Sequence, residues 1–278
     1  MFAILTSTFV IRAVIVGTLV SLCASLLGVS LVLKRYSMIG DGLSHVGFGS
    51  LSVAMALNLI PALGFNINPL QISIPIVLIA AFLLLRVSEN SKIQGDAAIA
   101  LISSSALAFG VIITALSKGM NLDVMSYMFG SILVMTPDDV RLSVCLSVIV
   151  IILFLVFYKQ IFLVTFDENF GTATGTNTKA YKMLIATLTA LTIVIGMRIM
   201  GTLLISSLII FPALTSMRIF KSFSKVVISS AVISVICFFL GILISIQFKI
   251  PTGASVVAAN IIMFSIFSFA GFFLGHAK

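Results

Sequence analysis

The sequence predicts an all-α, polytopic transmembrane helical bundle of about eight or nine spans, and three observations predict it. The chain is 60% hydrophobic and only 9% charged, against roughly 25% charge in soluble domains. Runs of eighteen or more mostly apolar residues recur along its whole length, the signature of membrane-spanning helices. Those runs are continuous rather than alternating, which selects helices over barrel strands.

Nine apolar stretches follow in order, at about 9–33, 38–60, 70–87, 96–117, 140–158, 180–198, 200–218, 225–247 and 254–275. The sixth and seventh are separated only by Met200 and Gly201, so one of that pair is expected to be short or re-entrant. No polar stretch exceeds about 20 residues, so residues 1–278 read as a single transmembrane domain. The N-terminus lacks a basic n-region and a small-residue cleavage pattern, and reads as retained. Pro212, in LIIFPAL, predicts a kink or break in the seventh stretch.

The net charge of +8 is spread over short loops, where it sets topology rather than pointing to nucleic acid. Lys34, Arg35, Arg86, Lys92, Lys159, Lys179, Lys182, Arg218, Lys221, Lys225 and Lys278 fall on one side, eleven of the sixteen basic residues. That side is expected to be cytoplasmic, which makes 159–179 the longest inner loop and places 118–139 and 248–253 outside. Cys23, Cys145 and Cys237 each stand alone in apolar segments and read as small core residues.

One stretch resists the lipid reading. In MIGDGLSHVGFGS, residues 38–50, Asp41 is the sole carboxylate inside a predicted span and His45 the sole internal histidine. Their i, i+4 spacing puts them on one helix face. His45 lies ten residues beyond Arg35, which at about 1.5 Å per residue is roughly 15 Å into a hydrocarbon core about 30 Å thick. An ionised carboxylate at such depth costs about 2.5–3.5 kcal/mol by insertion scales, so a cation or water must offset it. Carboxylate oxygen with neutral imidazole suits zinc, manganese or iron(II), and two ligands from one chain hold an ion weakly enough to release it. A buried Asp–His hydrogen bond and a proton-relay pair use the same two residues. Gly40, Gly42, Gly47 and Gly49 strip side-chain bulk from this helix, where another helix or an ion path approaches.

Enzymatic and motor chemistry find no support in the residues. A single intramembrane aspartate does not make an aspartyl protease, and neither HExxH nor GxSxG is present. In GTATGTNTK, counting GxxxxGK from Gly171 places Thr176 where the second glycine must stand, so ATP, if used, is hydrolysed by a partner. No permanently bound cofactor is expected. The paired Asp138 and Asp139, after Gly130 and Pro137, read as the start of the span at 140, with cation attraction or partner docking as the other uses.

The stretch SLLGVSLVLKRYSMIGDGLSHVGFG resembles the opening signature of the bacterial zinc/manganese/iron permease family of ABC transporters. DVMSYMFGSILVMTPDDV at 123–140, MGTLLISSLIIFPALTSMRIF at 200–220 and IPTGASVV at 250–257 extend the resemblance over nearly the full chain. The resemblance implies a vitamin-B12-importer-like permease architecture in the bacterial cell membrane. It further implies a homodimer, a cytoplasmic ATP-binding subunit and an extracytoplasmic protein that delivers the metal ion. Asp41 and His45 match the family's intramembrane metal pair.

The family's cytoplasmic loop carries Asp-x-x-x-Ala-x-x-x-Gly, matched here by Asp167 and Gly175 but with Gly171 at the alanine. Glycine costs about 1 kcal/mol relative to alanine inside a helix, so this coupling element is expected to be short or frayed at its centre. Asp167 and Glu168 suit its first turn, where carboxylates meet the positive end of the dipole, and Gly175 suits its end. The rival reading of the whole chain is a proton-coupled secondary metal transporter; a permease for iron chelates or cobalamin would share the architecture without needing the pair.

Overall fold

The computed structural model describes residues 8–58, 68–90, 95–117 and 137–273, and among them there are eleven helices and no strand. In chain order they are α1 (Thr8–Leu33), α2 (Ser37–Asn58), α3 (Pro69–Asn90), α4 (Gly95–Leu116), α5 (Pro137–Val156) and α6 (Tyr158–Phe166). There follow α7 (Glu168–Ala173), α8 (Thr178–Met200), α9 (Thr202–Met217), α10 (Phe223–Phe248) and α11 (Thr252–Phe273). Each of the nine apolar stretches is a helix. The segment 123–136, with Gly130, lies outside the described residues, as do Lys92, Lys118 and Lys278.

Six of these helices are long and apolar enough to cross a membrane. The second, α2, has the length at 22 residues but carries Asp41, His45 and four glycines. The seventh long helix, α9, has 16 residues and reaches about 24 Å, short of a hydrocarbon core about 30 Å thick. The expectation that one of the sixth and seventh stretches is short thus falls on α9.

Helix α1 lies at the centre, packed against α5, α8, α9 and α10, while α2 packs against α3, α4, α8 and α9. Lipid tails are as apolar as leucine, so small residues and shared polar groups hold such helices together. Ser234 donates its hydroxyl proton to the Ser21 carbonyl at 2.9 Å, and Ser230 to that of Ser25 at 3.3 Å, joining α10 to α1. Cys23 and Cys237 are buried as expected; Cys145 is exposed, because it lies on the outer face of α5.

Two expectations are corrected. The loop foreseen over 159–179 is helical as far as Phe166, because Ile161, Val164 and Thr165 recur at helical spacing and bury one face of α6. Of the kink or break expected at Pro212, the break is absent: α9 continues five residues beyond it, and the Ser216 hydroxyl donates to the Pro212 carbonyl at 2.8 Å. Two of the basic residues assigned to the inner side are brought together through one acid. Lys34 and Lys182 meet at Glu168, and Lys221 lines a groove with Tyr158, Phe162 and Phe166.

Candidate functional site

The site begins at the turn between α1 and α2. Tyr36 N–H donates to the Leu31 carbonyl at 2.8 Å and Arg35 N–H to that of Val32 at 3.1 Å, the Schellman pattern that ends a helix. Arg35 holds the left-handed position at φ 61° without being glycine. The reversal starts α2 at Ser37 and sets Asp41 and His45 on its second and third turns.

The glycines of α2 serve helix approach. A Cβ on Gly42 would stand 2.8 Å from the Ile99 side chain of α4, and one on Gly49 would stand 2.7 Å from the Ala106 carbonyl oxygen. Gly40 faces Ile209 of α9, and Gly47 faces Met197 of α8. Three neighbouring helices therefore press on α2 closely enough to fix its rotation, and with it the direction of the pair.

His45 Nε2 lies 3.7 Å from Asp41 Oδ2. That is longer than a direct hydrogen bond. Two donors bound at about 2.1 Å to one tetrahedral ion stand about 3.4 Å apart, a few tenths of an ångström closer than the pair here. The Asp41 side chain is 53% exposed on the single chain and that of His45 21%. His45 Nδ1 is buried with no hydrogen-bond partner, so Nε2 is the nitrogen turned toward the acid.

Two hydroxyls complete the surroundings. Ser44 donates to the Asp41 carbonyl at 2.7 Å. Ser206, from α9, places Oγ 3.3 Å from Asp41 Oδ1 and 3.5 Å from Ser44 Oγ. Sequence reading missed Ser206, since nothing in its own stretch marks one serine of ISSL above the next. Among the described residues no cluster of three or more His, Cys, Asp or Glu is present that would hold a metal ion. The chain supplies an acid, an imidazole and neutral oxygens.

The element expected to face the cytoplasm is built separately from this pair. Asp167 accepts a hydrogen bond from Phe170 N–H at 2.8 Å and caps α7, with Glu168 in the first turn. Gly175, at φ 80°, donates to the Thr172 carbonyl while Thr176 donates to that of Gly171, a second Schellman ending. The helix is short, at six residues, but not frayed at its centre. Gly171 is buried, and a Cβ there would come within 3.1 Å of the Thr178 methyl.

Asp138 and Asp139 lie in the first turn of α5, as the punctuation reading expects. Asp139 is buried and accepts from Asn68 Nδ2 at 2.9 Å, while Asp138 stays exposed beside Arg141.

Comparison with known proteins agrees with this architecture. The chain is 28% identical over 258 residues to the manganese import system permease protein ScaB of Streptococcus gordonii, covering 93% of this chain and 90% of that protein. It is 28% identical to the high-affinity zinc uptake system membrane protein ZnuB of Haemophilus influenzae, covering 91% of this chain and 94% of the relative. Its fold superposes on PsaBC from Streptococcus pneumoniae, solved in complex with Fab, with a TM-score of 0.82, 27% identity and coverage of 94% of this chain and 91% of that one. The chain is a multi-pass membrane protein. The model of the ABC 3 transport family matches residues 6–271, and the chain belongs to that family.

Proposed function

We propose that this chain is the membrane-spanning permease subunit of an ATP-driven importer of divalent metal ions, zinc or manganese and by the same ligand chemistry iron(II), in the bacterial cell membrane. The observation that carries the reading is the 3.7 Å separation of Asp41 Oδ2 and His45 Nε2 on one face of a helix built for lipid. Relatives named for manganese and zinc uptake point the same way.

An extracytoplasmic metal-binding protein delivers the ion. Asp41 and His45 hold it within the bilayer, with a second copy of the chain in a homodimer contributing to the same path. A cytoplasmic ATP-binding subunit docks on the element that carries Asp167, Glu168, Gly171 and Gly175, and its closure moves the bundle as a rigid-body rearrangement. The permease itself does no chemistry on its cargo: its residues bind, orient and release.

The test is metal-resolved uptake in a deletion strain complemented with Asp41→Ala or His45→Ala. Both variants are expected to abolish uptake while still co-purifying with the ATP-binding subunit. Normal transport by both would overturn the site assignment.

A further inference from the structure

Ser206 occupies a place that packing does not explain. It stands on the second turn of α9, is 9% exposed, and meets the acid from a different helix across 165 positions of sequence. Its hydroxyl has one proton and three acceptors within reach, the Thr202 carbonyl at 3.0 Å, Asp41 Oδ1 at 3.3 Å and Ser44 Oγ at 3.5 Å. The shortest bond is the one back along its own helix. Whichever acceptor takes the proton, the Ser206 oxygen keeps a lone pair free beside Asp41 Oδ1.

Deepening the metal-permease reading, on which it rests, we propose that Ser206 Oγ is a third, neutral ligand of the transported ion. Asp41 presents Oδ1 toward Ser206 and Oδ2 toward His45. An ion seated against both carboxylate oxygens therefore comes within reach of the hydroxyl on one side and the imidazole on the other. Two oxygens bound at about 2.2 Å and opened to about 97° stand about 3.3 Å apart, the separation found here. A neutral hydroxyl adds a donor without adding charge that would hold the ion fast, and hard oxygen favours manganese-like ions over softer ones.

Binding of Mn²⁺ to the purified permease–ATPase complex in lipid nanodiscs, followed by loss of the free-ion paramagnetic resonance signal, tests this together with Cd²⁺ absorbance. Ser206→Ala is expected to weaken Mn²⁺ about tenfold, and Ser206→Thr to restore it. Ser206→Cys should give a thiolate-to-Cd²⁺ charge-transfer band, because a sulfur at that atom would touch the ion. Ser207→Cys, whose native hydroxyl bonds the Leu204 carbonyl instead, should give none. Unchanged Mn²⁺ affinity in Ser206→Ala overturns the proposal. So does weakened affinity without a band in Ser206→Cys, which makes Ser206 a positioning residue. Wild-type Mn²⁺ binding by Asp41→Ala would instead bring down the underlying site reading. Retained ATPase in every preparation reports that the variants fold.

Discussion

The Glu168 carboxylate lies 2.5 Å from the Lys182 ammonium, and the same carboxylate reaches Lys34 at 3.8 Å. One acid in the first turn of α7 therefore bridges the start of α8 and the end of α1. The acid is 42% exposed while both lysine side chains are 12% exposed, so the contact ties three helices together at one partly screened point. Glu168→Gln should leave the detergent melting temperature within a few degrees of wild type while lowering metal transported per ATP hydrolysed several-fold. Uptake and hydrolysis measured in the same proteoliposomes decide it; an unchanged ratio removes Glu168 from coupling.

The ending of α7 makes a separate prediction. Gly175 sits at φ 80°, where a Cβ costs roughly 1–2 kcal/mol and asparagine is better tolerated than alanine. Gly175→Ala should raise amide exchange across 168–176 by about tenfold, and Gly175→Asn by less. Equal exchange in the two variants would show that backbone conformation does not govern this ending.

Adjacent aspartates should behave differently. Asn68→Ala removes one partner of the buried Asp139 and should cost about 1–3 kcal/mol. Asp138→Ala touches an exposed contact with Arg141 and should stay within about 0.5 kcal/mol. Thermal unfolding of the two variants in one detergent compares them directly.

The energy source separates the proposed importer from a proton-coupled carrier using the same acid and imidazole. Cells depleted of ATP but holding a proton gradient should lose uptake. Uptake that persists would favour the carrier.

Much of this was legible in the residues, for stated physical reasons. Hydrophobic runs read well because a bilayer imposes one length on every span, and Asp41 with His45 stood out because charge is costly in lipid. Asp167 and Gly175 were legible because capping and left-handed endings are local chemistry. Ser206 was not, since serines are common in membrane helices and its meaning depends on a neighbour in another helix. The helix over Tyr158–Phe166 was hidden by Lys159 and Gln160, whose polarity suggested a loop although the residues that follow bury a face. Asp139 looked like punctuation, and only the fold brings Asn68 onto it.

Only Gly201 separates α8 from α9, at φ 82° and ψ 161°, a conformation essentially reserved for glycine. The hairpin therefore has no slack, and the angular phase of α9 is inherited from α8. Ser206 comes five positions after that joint, so one inserted residue would swing its oxygen about 100° around the helix axis, away from Asp41. On the proposed site, chain length at this joint would govern cargo handling, and an insertion there should silence uptake without altering the side chain of Asp41 or His45.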